Sequence, residues 1–327
     1  MSLDADRIVE RRRLRRKVTF WRVFAVVVVI LAVVGVGVAV TDNTDALGGG
    51  VSGSIARIKI DGLIRSDHER VEGLERLGKS AAKAVIVHIN SPGGTTAGSE
   101  ELHDALIRLK ALKPVVVVID GLAASGGYIA ALGGDRIIAR ETSLVGSIGV
   151  LFQYPNVYEL LNTVGVKIES VKSSPLKAAP SGYEPTSPEA RAAIESIVLD
   201  SYAWFKNMVK ERRQMDDALL ERVADGRVFT GRQAMGLKLV DELGDEKAAV
   251  TWLATDRKID PKTPVRDYKL RERLSDFSFL RLATVSVLDS VGLGAMARRL
   301  ESLGSLQAIE RLNLDGLLAL WHPPATN

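Results

Sequence analysis

The sequence predicts a layered α/β domain preceded by a single membrane-spanning helix. Three observations carry that prediction. Short β-branched runs alternate with stretches of helical apolar periodicity, and Gly-rich loops stand at the ends of the strand runs. An apolar stretch of bilayer length follows a basic N-terminal arm.

In chain order, the arm occupies residues 1–19. Residues 20–40 read FWRVFAVVVVILAVVGVGVAV, apolar without interruption after Arg22. At roughly 1.5 Å per residue a helix of that length covers about 30 Å, the hydrocarbon thickness of a bilayer. The basic flank lies before it and Asp42 and Asp45 lie after it. The positive-inside rule therefore places the N-terminus in the cytoplasm and everything beyond Val40 outside it. Phe20 and Trp21 fall where an aromatic belt forms. Gly37-Val38-Ala39 would suit cleavage, but the run exceeds the about 7–15 apolar residues of a removable signal, so an uncleaved anchor is expected. Residues 41–54, with three consecutive glycines at Gly48, Gly49 and Gly50, make a flexible tether.

The domain itself is expected over residues 55–254. Residues 55–60 (IARIKI) alternate like a strand, and 84–89 (AVIVHI) and 115–119 (VVVVI) are buried strands that end at turn residues. Between them, Leu102, Leu106, Leu109 and Leu112 share one helical face. Residues 136–139 and 167–171 are further strand candidates. From Thr186 the pattern turns helical. Ser187 ahead of Pro188 starts a helix, and Ile194, Ile197, Val198, Phe205 and Met208 run down one side of it. Thr230 with Gln233 three residues later makes a capping box. Residues 255–327 change character, with Pro261 and Pro264 followed by a Leu- and Gly-rich stretch, and are expected to form amphipathic helices packing on this or a neighbouring subunit. Asp289, Arg298, Arg299, Glu301 and Glu310 interrupt every window of about 18 residues there, which argues against a second span.

Charge narrows the function classes. Of 44 basic and 40 acidic residues, eight and three lie in residues 1–22, leaving 36 and 37 in the remainder. The body is electrically neutral, whereas a nucleic-acid groove needs its excess on the folded domain, so no nucleic-acid partner is expected. The chain has no cysteine, and an exported domain must then hold together by packing alone.

Two strand ends draw attention. After AVIVHI comes Asn90-Ser91-Pro92-Gly93-Gly94, and after VVVVI comes Asp120-Gly121-Leu122-Ala123-Ala124-Ser125-Gly126-Gly127-Tyr128. Gly-Gly pairs let backbone N–H groups point into a cavity with no Cβ in the way. A serine ahead of Gly-Gly at a helix start is how an α/β enzyme exposes a nucleophile, with the next N–H serving an oxyanion hole. Taken alone, a serine in a Gly-rich loop is more often a turn residue. None of the four histidines, His68, His88, His103 and His322, lies between Ser125 and the C-terminal tail, and His88 and His103 fall on an expected strand and helix. The remaining common arrangement is a Ser-Lys dyad, in which a desolvated lysine accepts the serine proton. Lys177 has small apolar neighbours in KSSPLKAAP, although on composition alone such a lysine is far more often a surface residue.

The motifs SPGG, ASGGY, GSIGV (146–150), KSSPLK and DGRVFTGRQAMGLKLVDELG (225–244) stand in the order found in the signal peptide peptidase A family, short bacterial form, which the chain resembles over about residues 55–253. The resemblance implies a ClpP/crotonase-like spiral of ββα units. It implies Ser125 as nucleophile, Lys177 as general base and Ser147 as the residue that orients that lysine. The N–H groups of Gly93, Gly94 and Gly126 are implied as the oxyanion hole. It further implies a ring-shaped homo-oligomer at the cytoplasmic membrane, acting on released apolar signal peptides and other unfolded peptides, with no metal or other cofactor. Many members carry Asp directly after the lysine, where this chain has Ala178, which puts a local salt bridge in doubt. Two other readings share the sequence features. One is an acyl-CoA hydratase or isomerase on the same fold, with Glu100 and Glu101 as acid/base groups. The other is a non-enzymatic membrane scaffold, which would tolerate loss of a dyad residue.

Overall fold

The computed structural model describes residues 51–270, together with Trp21 and a short strand at residues 318–320. The chain divides into two units, Met1–Gly50 and Val51–Asn327. The anchor expected over residues 20–40 lies outside the described residues except for Trp21. Among the described residues no helix is long and apolar enough to cross a membrane.

The second unit is a mixed α/β body built on an eight-stranded sheet. Its centre is formed by β1 (Ile55–Asp61), β2 (Ala84–Ser91) and β4 (Val115–Ala124), which run parallel. The β-branched runs form strands because both faces of the sheet are covered, so each residue of VVVVI is buried. One face packs against α1 (His68–Lys79), α2 (Thr96–Lys110) and α3 (Gly126–Ala131), through Leu74, Leu77, Leu102, Leu106 and Ile129. The other face, through Ile55, Ile86, Val116, Val118 and Ile138, meets Ala249 and Leu253 of a later helix, Glu246–Arg257 (α8). Leu112 is exposed, because α2 stops at Lys110 before reaching it.

β4 changes neighbours half-way along, and this positions the site. Its first half pairs with β5 (Arg136–Ala139) through residues 116–119, and its second half pairs with β6 (Leu144–Gly146) through residues 122–124. On the opposite edge the register with β2 shifts at the same point, from Ile89 opposite Ile119 to Ser91 opposite Ala123. Two extra residues of β4 are absorbed there, as in a bulge, and the bulge re-aims the end of the strand. Antiparallel β7 (Val228–Thr230) pairs with β6, β8 (Glu242–Leu243) pairs with β5, and β9 (Val265–Asp267) pairs with β1. The sheet thus continues past residue 254, where a change of domain is expected from sequence. A second, two-stranded sheet joins β3 (Gly93–Thr95) antiparallel to β10 (Leu318–Leu320). That part of the C-terminal stretch is strand where helices are expected. Residues 271–317 and 321–327 lie outside the described residues.

The remaining helices follow their caps. In α5 (Pro188–Arg213), Ser187 accepts from the Ala190 N–H and Pro188 occupies the first turn. α6 spans Asp217–Val223, and the Thr230–Gln233 capping box opens α7 (Gly231–Gly236). Residues 167–171 do not form the expected strand. They belong to an exposed excursion between α4 (Tyr158–Thr163) and α5, where Val171 is fully exposed, and an apolar alternation with no neighbouring strand to bond forms no ladder.

Candidate active site

Ser125 stands at the junction of β4 and α3, where the bulged strand turns into the helix. Its backbone has φ 53° and ψ −117°, a conformation that an L-residue holds only when its surroundings enforce it. The enforcement is visible on both sides. The Ser125 N–H donates to the Gly146 carbonyl (2.8 Å), and the Ser125 carbonyl accepts from the Tyr128 and Ile129 N–H groups (2.9 and 3.0 Å). Tyr128 is fully buried, and its hydroxyl donates to the Leu239 carbonyl at 2.7 Å, which pins α3 from below. Burial pushes the Tyr128 phenol well above its ordinary range, so it stays a neutral donor. The Ser125 hydroxyl makes one long contact, 3.4 Å to the Gly149 carbonyl, and the residue is 1% exposed. Gly126 opens α3, where N–H groups lack intrahelical acceptors and are available to a developing negative charge.

The Gly93-Gly94 turn lies beside this helix. Gly127 approaches the Ser91 carbonyl so closely that an added Cβ would sit 2.6 Å from it. The two glycines differ in what their N–H groups do. That of Gly93 donates to the Ser91 hydroxyl (3.1 Å), so this expected oxyanion donor is already occupied. The Gly93 carbonyl accepts from the Ile64 N–H (2.8 Å), and the Thr95 N–H donates to the Ile64 carbonyl (2.9 Å). Alternate residues of a strand bond to opposite sides, so the N–H of Gly94 faces away from Ile64, toward the edge that β10 pairs with. Of the two glycines, Gly94 is the one whose donor faces the β10 edge, where it lies opposite Ala319. Sequence reasoning singles out the glycines of this turn, and the structure adds Ser91. A small hydroxyl residue ending an otherwise apolar buried strand is the signal for it.

Ser147 follows Gly146 in β6 with φ 50°, and its N–H donates to the Arg227 carbonyl (2.8 Å). It is 8% exposed, and its hydroxyl has no partner among the described residues. Lys177 is placed differently. It sits in a turn of the exposed excursion, its N–H donating to the Ser174 carbonyl (3.1 Å), with an exposed side chain that has no polar partner among the described residues. Among the described residues nothing buries Lys177 as a general base would require, and no hydrogen bond joins it to Ser125. Sequence neighbours that are small and apolar bury nothing when the segment itself stands off the body.

His322 lies outside the described residues, and the other three histidines are engaged elsewhere. His88 Nδ1 lies 2.8 Å from Asp120 Oδ2 and its Nε2 lies 2.9 Å from Glu246 Oε2, so neither ring nitrogen is free to act as a base. Hydrogen bonds from Arg57, and secondarily from His88, hold the Glu246 carboxyl below the usual carboxylate range. His103 is buried on α2 with Nδ1 3.1 Å from Asp104, and burial lowers its affinity for a proton. His68 is exposed and lies 3.2 Å from Glu72. Glu101, a candidate acid/base group in the hydratase reading, instead accepts the Asp67 N–H at 2.9 Å and ties down the loop before α1.

Sequence comparison agrees with this geometry. The profile of Peptidase family S49 matches residues 107–260, and that of Clp protease matches residues 69–144. A candidate protease of Synechocystis sp. is 36% identical over 209 residues, covering 63% of this chain and 76% of its own length. A candidate signal peptide peptidase SppA of Enterococcus faecium is 31% identical over 241 residues, covering 69% and 70%. The chloroplastic serine protease SPPA of Arabidopsis thaliana is 30% identical over 204 residues, covering 61% of this chain and 30% of its own. With an α/β fold of the Clp type, and with the Synechocystis and Enterococcus relatives matched over 76% and 70% of their own length, the chain belongs to peptidase family S49.

Proposed function

We propose that this peptidase is a membrane-anchored serine endopeptidase working through a Ser125–Lys177 dyad shared between neighbouring copies. The observation that carries the reading is the separation of its two halves. Ser125 is held in an enforced turn beside outward-facing amides, while Lys177 stands exposed on an excursion that leaves Leu160, Val164, Val166, Ile168, Val171 and Leu176 uncovered. An apolar surface of that extent calls for a cover, and a second copy covers it while desolvating the lysine. Ring closure of such head-to-tail contacts gives every Ser125 a Lys177 from next door.

In the reaction, neutral Lys177 takes the Ser125 hydroxyl proton as the oxygen attacks the peptide carbonyl, and Ser147 orients the amine. The oxyanion is received by the N–H groups of Gly126 and Gly94. The proton then passes from the lysine to the leaving amine, and water hydrolyses the acyl-enzyme. The substrate lies extended along β3, an edge already able to accept an antiparallel strand in β10. A neutral body selects by apolar contact rather than by charge, and the naming of relatives as signal peptide peptidases supports released signal peptides as the substrates. Residues 20–40 anchor the chain, with the peptidase body outside the cytoplasm.

Subunit mixing tests the shared dyad. Ser125→Ala and Lys177→Ala are each expected to lose about 10³-fold or more of peptide hydrolysis. Ser147→Ala is expected to lose less, because it positions the base. Co-assembled from equal amounts, the two dead variants are expected to recover about a quarter of wild-type turnover, since half the sites receive each intact partner. Mixed rings that form, by mass spectrometry, and stay inactive would overturn the shared dyad.

A further inference from the structure

Ser91 is buried at 0% exposure, hydrogen-bonds to Gly62 and Gly93, and packs against Gly127. Its hydroxyl donates to the Gly62 carbonyl at 2.7 Å, which uses its one proton. Its lone pair accepts the Gly93 N–H at 3.1 Å. Its carbonyl and Cβ back onto Gly127, in the first turn of the nucleophile helix, where an added Cβ would meet them at 2.6 and 3.3 Å. Ser91 is also the residue at which β2 resumes pairing with β4 after the bulge.

We propose that Ser91 is a positioning residue that selects which amide of the Gly93-Gly94 turn faces the reacting carbonyl. The inference rests on the Ser-Lys reading and adds a residue to it. Gly93 has φ 107°, so its flanking peptides are free to rotate unless something holds them. Ser91 holds one from within by taking the Gly93 N–H, and Ile64 holds the next by donating to the Gly93 carbonyl. With both fixed, the N–H of Gly94 is turned toward the edge of β3 that β10 pairs with, the edge on which the proposed substrate strand would lie. Removing the Ser91 oxygen leaves a buried Gly93 N–H without an acceptor, and the turn is then driven to rotate to satisfy it. Rotation takes the Gly94 donor off the position the oxyanion occupies while leaving the substrate's strand contacts in place. The loss therefore falls on the transition state, not on the bound peptide.

The test uses the full chain in detergent and compares wild type with Ser91→Ala. The expected result is a fall in kcat of about 10- to 100-fold, up to what one oxyanion donor contributes, with KM for an apolar peptide within about twofold. Affinity for a peptide boronate, whose tetrahedral adduct places an oxygen in the hole, is expected to fall by the same factor as kcat. Affinity for an unreactive peptide amide of the same sequence is expected to hold. Unchanged kcat, or equal loss of boronate and amide affinity, would overturn the role. If Ser91→Ala is unfolded at the assay temperature, Ser91→Cys fills the same space with a poor acceptor and carries the same comparison. Ser125→Ala separates the two levels. Undiminished hydrolysis by it sinks the dyad itself, whereas a dead Ser125→Ala beside a fully active Ser91→Ala sinks only the positioning role.

Discussion

Ser125 concentrates several constraints in one residue. Its φ of 53° is sterically costly for any side chain, by about 1–3 kcal/mol, and glycine escapes that cost. Ser125→Gly is therefore expected to be more stable than Ser125→Ala by about 1 kcal/mol, read as a higher urea midpoint, although both lack the hydroxyl and neither hydrolyses peptides. Equal midpoints would mean that the turn is not strained. Gly94 poses the opposite case, since a Cβ there would lie 1.7 Å from the Ile64 carbonyl oxygen. Gly94→Ala must push β3 off the loop before it, and both stability and hydrolysis are expected to fall. At this scale the strained turn at Ser125 and the Gly-rich turn of residues 93–94 were legible in the sequence because turn chemistry restricts residue type. The distinction between Gly93 and Gly94 was not, because it depends on a hydrogen bond that Ser91 accepts from the Gly93 N–H, which no spacing reveals.

Elements are held in register by ion pairs as well as by packing. Glu246, opening α8, accepts from Arg57 Nη2 at 2.7 Å and meets His88, which in turn meets Asp120 on β4. The Glu246 carboxyl sits below its ordinary value in the fold, so its contribution to stability is complete above the unfolded carboxylate range, about 4.3, and is lost as pH falls through the folded value. Between about pH 5 and pH 3, wild type is expected to lose more stability than Glu246→Gln, measured by urea unfolding at each pH. On α3, Tyr128→Phe leaves the buried Leu239 carbonyl without its donor and is expected to cost about 1–3 kcal/mol. Strands 55–60, 84–89 and 115–119 and the two capped helices were legible, since β-branched runs and cap residues act locally. Residues 167–171 carry a strand-like alternation yet find no partner strand, and strand formation is decided by what lies alongside. The change of partner along β4 was equally hidden, because it arises from pairing between segments remote in sequence.

For the whole molecule, the contrast lies between a tightly packed body and an uncovered apolar excursion. In α5, Phe205 and Val209 are buried against the body, whereas Ile197 and Leu199 of the N-terminal half are about half exposed. The helix leaves the core as it approaches its N-terminus, although its sequence periodicity runs on through Ile194 and Ile197. Dilution of a soluble fragment beginning at Val51 is expected to lose peptide turnover in step with loss of oligomer by light scattering. A fully active monomer would contradict the shared site. The expected topology has its own measurement, an alkaline phosphatase joined after Gly50, which should be active outside the cytoplasm.

The exposed position of Lys177 also bears on how the amount of protein relates to the amount of work done. On the proposed shared dyad, a lone chain would hold Ser125 with no Lys177 beside it, so a newly made copy would be silent. Output then rises faster than linearly with copy number while copies are scarce, because each working centre requires an encounter. Confinement to a plane raises the effective concentration of neighbours. A cell that halves its dose of this gene near that threshold should lose well over half of the hydrolysis, and one that mislocalises the chain away from the plane should lose nearly all of it.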